Sequence, residues 1–352
     1  MITLKLLFRE PGGQIEKAKS VGLVSFGPRA RRQSVTDPMS LVLNPTSSHR
    51  IFHYSAFGLQ IASEVDCPEL VVGSGDGDVL LRRGEVPRHL FQLGGDCRFF
   101  EVDGSRFLMR TPDGVSFLVE DGRKITVDAT PEADSGRWRI YLFGSAFGAL
   151  LHQRGRLPLH GSALLGVQGA FVLAGASGIG KSTLAAVLHA RGLPVLSDDV
   201  CAVSLSPDSP PLLHPAYPRL HLCPDVLDEV GASAETLRPA RKAIEKYAMD
   251  VHASFPREAA PLKTIFLLES ADVDQPCYEE FSGMRKVVAI AANTYRPIYL
   301  RPMGRLESHF RQVAAVARSA RLFRIQRPED LSSLRPLADL ILRLEALPTT
   351  PA

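Results

Sequence analysis

The sequence predicts an α/β protein in which a domain of alternating strands and helices follows a smaller, β-rich α+β domain. Three observations predict it. Short apolar runs between residues 97 and 128 are separated by Asp-Gly pairs, strand and helix patterns alternate from residue 155 onward, and a glycine-rich loop joins an apolar run to a helical run near residue 175.

The length of 352 residues suits two domains, and a composition 45% hydrophobic and 22% charged is that of an ordinary globular chain. Disorder throughout and fibrous repeats are excluded. No apolar run reaches the roughly 18 residues a membrane span requires. Met1–Phe8 is a short apolar start broken by Arg9-Glu10-Pro11, so no export signal is expected. The five cysteines are scattered and never in CxxC spacing, which fits a reducing, cytoplasmic setting without disulfides or a zinc site.

Residues 1–50 carry eight Lys/Arg against three acidic residues, whereas the other 302 carry 33 against 35. The net charge of +3 therefore belongs to a basic leader, and no nucleic-acid footprint is expected on the fold. The leader has no sustained period and reads as disordered, or else as a basic docking arm. Residues 51–154 form the expected N-terminal domain. Cys97–Val102, Arg106–Thr111, Val115–Glu120 and Lys124–Asp128 are strand-like, and Asp103-Gly104, Asp113-Gly114 and Asp121-Gly122 supply the positive φ of tight hairpins. Arg137–Arg154 has a helical apolar stripe through Trp138, Phe143, Phe147, Leu150 and Leu151, and Gly155 ends it.

Residues 155–345 form the expected second domain, with 346–352 as a tail. Leu157–Leu165 and Ala170–Leu173 read as strands, Lys181–Arg191 as a helix, Pro194–Leu196 and Val200–Leu205 as short strands, and the Pro-rich Ser206–Pro218 as a loop. Further on, Thr264–Leu268 and Arg321–Ile325 read as strands, and Leu306–Ala317 and Pro328–Leu344 as helices.

Gly175-Ala176-Ser177-Gly178-Ile179-Gly180-Lys181-Ser182 fits GxxxxGK[ST], the Walker A phosphate loop, between a strand and the helix that Thr183 continues. Its glycines let successive N–H groups turn toward phosphate oxygens at a helix N-terminus. Lys181 is the cation for the β- and γ-phosphates and Ser182 a natural Mg²⁺ ligand, so a nucleoside triphosphate such as ATP, with Mg²⁺, is the expected cofactor. The sequence lacks LSGGQ, [NT]KxD and any basic patch interleaved with aromatics, which sets aside ABC transporters, guanine readers and specific nucleic-acid enzymes.

Pro194-Val-Leu-Ser-Asp198-Asp199 reads as a short strand ending in two carboxylates, expected beside the loop strand and pointing at the phosphates. One aspartate would hold the metal and the other take a proton from an incoming hydroxyl; an ordinary Asp-Asp turn is the alternative. His160, in Leu157-Pro-Leu-His-Gly-Ser-Ala163, lies on the strand just before the loop strand.

In order and spacing, His160-Gly-Ser-Ala, Gly175–Thr183 and Leu196-Ser-Asp198-Asp199 resemble the nucleotide-binding domain of the HPr kinase/phosphorylase family. Tyr54–Glu64, Pro218–Asp225 and Thr294-Tyr-Arg-Pro297 are similar to its divergent branch, the kinases of lasso-peptide biosynthesis. The resemblance implies a fold related to the core of phosphoenolpyruvate carboxykinase and transfer of phosphate from ATP to a serine hydroxyl, on a lasso-peptide precursor in that branch. It implies phosphate and Mg²⁺ binding by Lys181 and Ser182, metal and base duties divided between Asp198 and Asp199, and His160 near the transferred phosphoryl group. Arg241, Glu245, Lys246 and Arg296 are further candidates. The family's Glu-x-Arg-Gly-x-Gly signature is missing, and Pro218–Asp225 occupies its region. That loop serves the reverse reaction, so the resemblance carries neither phosphorolysis nor HPr as acceptor.

The expected function is therefore a serine-type kinase acting on a peptide or small protein. A small-molecule kinase or a non-catalytic nucleotide-binding regulatory module are the alternatives. The N-terminal half would serve substrate docking, homo-oligomer assembly or structural cover.

Overall fold

Alternating apolar residues and tight turns build the first sheet. The computed structural model describes residues 50–91, 99–129, 138–224, 238–241 and 246–347. Strands β1 (Phe52–Ala56), β2 (Leu59–Ser63), β3 (Val71–Val72), β4 (Val79–Arg83), β5 (Phe100–Asp103), β6 (Arg106–Arg110), β7 (Ser116–Glu120) and β8 (Lys124–Asp128) pair in the order β3-β1-β2-β4-β8-β7-β6-β5. The last four are the antiparallel meander expected from the Asp-Gly pairs. Its expected start at Cys97 lies outside the described residues.

The β1–β2 hairpin turns on Phe57 and Gly58, both at positive φ (56° and 67°). Phenylalanine is a poor turn residue, and burial of its ring offsets the strain: it is fully buried, 5.3 Å from the Phe147 ring.

Against this sheet lies the apolar stripe. It runs as α1 (Arg139–Tyr141), a π-helical turn (Leu142–Ala146) and α2 (Phe147–Gln153); Arg137 lies outside the described residues. Residues 142–152 are all buried. One apolar cluster joins Ile61, Phe107, Trp138, Phe147 and Leu150 to Val200, Tyr217 and Tyr295. The N-terminal sheet, the helix and the following strands thus share a core.

Next come β9 (Leu157–Leu165), β10 (Ala170–Gly175), α3 (Lys181–Ala190), β11 (Val195–Ser206) and β12 (Ser209–His214). A small sheet of β13 (Arg219–Leu222), β14 (Arg238–Arg241) and β15 (Lys246–Asp250) follows, in the order β13-β15-β14. The chain continues through β16 (Ala260–Ser270), β17 (Cys277–Glu280), α4 (Gly283–Ala292), α5 (Leu306–Ser319), β18 (Arg321–Arg327) and α6 (Leu334–Glu345). The second large sheet is ordered β10-β9-β11-β12-β16-β18-β17, and a parallel pairing of β10 with β16 closes its first five strands into a ring. Leu184 and Leu188 of α3 share one apolar cluster with Leu337 and Ile341 of α6, whereas Ile290 of α4 and Val313 and Val316 of α5 belong to another.

Four local expectations change. The two short strands expected at 194–196 and 200–205 are one continuous strand, β11, so Asp198 and Asp199 lie inside a strand and not at its end. That strand is not beside the loop strand either: β9 lies between β10 and β11. Ser206–Pro218 is not wholly loop, because Leu212 and Leu213 bridge β11 and β16 while the prolines sit where no β16 ladder forms. The last helix begins at Leu334 rather than Pro328. Pro336 is tolerated only in the first turn, where its missing N–H leaves no bond unmade. Among the described residues no helix is long and apolar enough to cross a membrane.

Candidate active site

The glycine-rich loop leaves β10 at Gly175 and enters α3 at Lys181. A Cβ on Gly175 would sit 2.5 Å from the Leu268 carbonyl oxygen, so only glycine lets the loop pass β16 so closely. Gly180 holds the N-cap position of α3 at φ 94°, and no side chain caps the helix there. First-turn amides without a side-chain cap, with the helix dipole behind them, are a setting that can take an anion. The Arg327 guanidinium donates to the Ile179 carbonyl at 3.1 Å and to Ser333 Oγ at 3.1 Å, bracing the loop from behind.

Lys181 is 7% exposed and its Nζ donates to the carbonyls of Gly175 and Ala176, both at 2.9 Å. Ser182 Oγ donates to Asp198 Oδ1 at 2.8 Å, and Ser162 Oγ on β9 donates to the same oxygen at 2.6 Å. The His221 amide donates to Oδ2 at 3.0 Å, and the His221 ring lies 3.6 Å away. Burial of Asp198 opposes its charge, but the bonds from His221 and Ser162 outweigh it and hold the carboxyl down to about 2. Asp198 is a fixed, ionised group next to the Ser182 hydroxyl.

Asp199 is its opposite in setting. Its side chain is 46% exposed, and His160 Nδ1 lies 3.2 Å from Oδ1. Tyr295 donates its hydroxyl to Oδ2 at 3.4 Å. Its backbone is left-handed (φ 75°), which breaks the alternation of β11 and turns the carboxylate toward His160, two residues from Ser162 on β9. Desolvation again opposes the charge, and the His160 contacts outweigh it, so the carboxyl stays below its ordinary value.

Asp199 and His160 open into a cleft of about 1350 Å³. One wall is the helix of the N-terminal half, through Ile140, Tyr141 and Ser145; another is α4, through Met284 and Val288. Gly175, Ala176, Ser177 and Ile179 of the loop line it as well. Lys181, Ser182 and Asp198 do not line it.

Three residues not named as candidates from the sequence complete the site, although Tyr295 and His221 lie in the stretches Thr294–Pro297 and Pro218–Asp225 noted there. Asn293 accepts the Gly175 amide on Oδ1 at 2.9 Å and the His160 amide on its carbonyl oxygen at 2.7 Å, tying the loop to β9. Tyr295 is held by His152, whose Nε2 lies 2.9 Å from the Tyr295 carbonyl oxygen, and its ring fits over two glycines of the helix: a Cβ on Gly144 would lie 2.8 Å from the hydroxyl, and one on Gly148 3.0 Å from the ring. His221 is the third, in the stretch that stands in place of the missing family signature. Of the further candidates, Arg296 lines the cleft; the side chains of Arg241 and Lys246, and all of Glu245, lie outside what is described.

No protein-family model and no curated protein matches the chain. Among solved structures it is similar to the Hpr(Ser) kinase/phosphatase from Coxiella burnetii, at 12% identity over 53% of this chain and 95% of that one, with a TM-score of 0.29.

Proposed function

We propose that the chain is an ATP- and Mg²⁺-dependent kinase that transfers the γ-phosphoryl group to a serine-type hydroxyl of a peptide or small protein. The observation that carries this reading is the opposed setting of the two aspartates. Asp198 is buried and bonded to Ser182 of the loop, while Asp199 faces an open cleft with His160 beside it. A bare nucleotide switch has no use for the second carboxylate.

The loop amides of Gly178–Thr183 and the Lys181 ammonium would cradle the phosphates, Lys181 exchanging its two loop carbonyls for phosphate oxygens. Ser182 and Asp198 present hard oxygen donors 2.8 Å apart, which suits Mg²⁺, with Asp199, next in the chain, as the third candidate ligand. When bound, Mg²⁺ neutralises phosphate charge. Asp199 would accept the acceptor's hydroxyl proton, and its low pKa is matched to a proton that leaves late, as the new O–P bond forms. His160 orients Asp199 and lies near the transferred group. Catalysis is positioning and charge stabilisation.

A lasso-peptide precursor, the acceptor implied by the sequence resemblance, is the first peptide to offer. Single-turnover transfer from γ-labelled ATP to serine peptides tests the reading, with Asp199→Asn as control. Tight nucleotide binding without transfer to any peptide would leave only the regulatory-module reading standing.

A further inference from the structure

We propose that the cleft between the N-terminal helix and α4 is the acceptor's groove, and that it takes an extended peptide with an acidic side chain next to the acceptor residue and a bulky apolar side chain farther along. This rests on the kinase reading for the identity of the reacting groups.

Four observations converge on that occupant. The cleft brings Asp199 and His160 together beside Gly175, Ala176, Ser177 and Ile179 of the loop, so a hydroxyl seated in it would meet the proposed base at the edge of the phosphate loop. At about 1350 Å³ it exceeds the roughly 300–1,000 Å³ of a small-molecule pocket, which favours a chain segment over a metabolite. Its α4 wall exposes apolar surface toward that space: Met284 is 56% and Val288 48% exposed, one helical turn apart, beside a Phe281 ring under the Arg285 guanidinium at 4.0 Å.

The fourth is charge. Arg285 is paired with Glu279, and Glu269 with Arg324, so those cleft charges satisfy one another locally. Arg296 differs. It is exposed, sits at φ 50° with its guanidinium 5.6 Å from the Tyr295 ring centroid, and among the described residues has no carboxylate within ion-pair distance. A cation so placed, one residue from the tyrosine that touches Asp199, suits an incoming carboxylate beside the acceptor hydroxyl. Its strained backbone is tolerated where buried Thr294 and Tyr295 on one side and buried Tyr299 on the other hold the chain.

The test uses the full chain and a library of dodecapeptides with one central serine and one other position fixed at a time. Transfer from γ-labelled ATP is measured, and capture of the same peptides is read separately by fluorescence anisotropy. Wild type should prefer Asp or Glu next to serine and Leu, Met or Phe at a more distant position, each by about tenfold or more. Arg296→Glu should reverse the first preference toward Lys. Met284→Asp and Val288→Asp, both at exposed positions, should abolish the second, with affinity for a fluorescent ATP analogue changed less than twofold. Transfer that shows neither preference overturns the groove and leaves the kinase reading intact. Capture with both preferences but no transfer keeps the groove and removes the kinase. Loss of nucleotide affinity in the two α4 variants would make the apolar wall a nucleobase site and overturn the proposal, as would a chain that neither captures nor phosphorylates any peptide.

Discussion

Replacing the two aspartates one at a time by asparagine should produce two different proteins. Asp198 accepts three short bonds, from Ser162 at 2.6 Å, Ser182 at 2.8 Å and the His221 amide at 3.0 Å. A hydrogen bond to a charged group contributes about 1.5–3 kcal/mol and a neutral one about 0.5–1.5, so neutralising the acceptor costs about 1 kcal/mol per bond. The serine hydroxyls can rotate to accept from the new amide, which recovers part of it, and Asp198→Asn should lose about 2–3 kcal/mol of stability together with Mg²⁺-dependent nucleotide binding. Asp199→Asn should leave stability within about 0.5 kcal/mol, because the side chain is half exposed and asparagine tolerates the left-handed backbone as aspartate does. Its transfer rate should fall about 10²–10⁴-fold, a barrier rise of about 3–5 kcal/mol, with nucleotide affinity kept. Urea denaturation, titration of a fluorescent nucleotide with and without Mg²⁺, and single-turnover transfer read the three quantities separately. Weak nucleotide binding in Asp199→Asn with a merely slow Asp198→Asn would reverse the roles. Small, equal effects in both would reduce the pair to an ordinary feature of the strand.

Other expectations follow from the same contacts. Lys181→Ala should abolish transfer and leave the fold intact by circular dichroism; wild-type turnover with ATP and Mg²⁺ would show that the loop is not the phosphate site. Gly144→Ala places a methyl group 2.8 Å from the Tyr295 hydroxyl, so it should destabilise by about 1–3 kcal/mol and slow transfer without weakening nucleotide binding, measured by denaturation and by kinetics. Burial pushes His152 down to about 4, below its ordinary 6.5, although its bond to Tyr295 works the other way. The unfolded chain therefore binds the extra proton between these values: this stability is complete above pH 6.5 and is lost as pH falls toward 4, amounting to about 2–3 kcal/mol by pH 4.5. Urea midpoints at pH 7.5 and 4.5 should converge in His152→Gln; an unchanged pH dependence there would assign the acid sensitivity elsewhere.

What could be read in the sequence was local. The meander announces itself because Asp-Gly supplies the positive φ of tight turns, and the glycine-rich loop because close backbone approach, as at Gly175 beside the Leu268 carbonyl, leaves no room for a side chain. The β1–β2 hairpin carries no such mark, since Phe57 enters its turn only by virtue of burial against Phe147, a contact 90 residues away in the chain. The break at Ser197–Asp199 looks like the end of a strand because polar residues interrupt an apolar run. Pairing along β9 from Leu157 to Leu164 carries the strand through it, and Ser162, Ser182 and His221 satisfy the buried carboxylate that composition alone would place at a surface turn.

The N-terminal half shows why the rest of the site could not be read this way. Phosphate chemistry by itself calls for a loop, a cation and a carboxylate, all within residues 175–199. Yet the tyrosine that touches Asp199 is buried against Gly144 and Gly148, and its carbonyl is held by His152, so its position is set by a helix that belongs to the other sheet's core. The π-helical turn lies in that helix at Leu142–Ala146, with Tyr141 and Ser145 on the cleft. A single π turn inside an α-helix is rare and occurs frequently at functional sites. Here it carries Gly144 against the Tyr295 hydroxyl while Leu142, Phe143 and Phe147 stay in the core. A helix with all its turns regular would rotate the residues before Ala146 by about 100° for the one residue removed, and glycine and cleft residues would no longer face the same site. Cover and cleft wall are thus one element: removing the first 130 residues would leave Gly144 and Gly148 in the chain but strip away Ile61, Phe107 and Phe117, the core on which their helix rests and through it the seat of Tyr295.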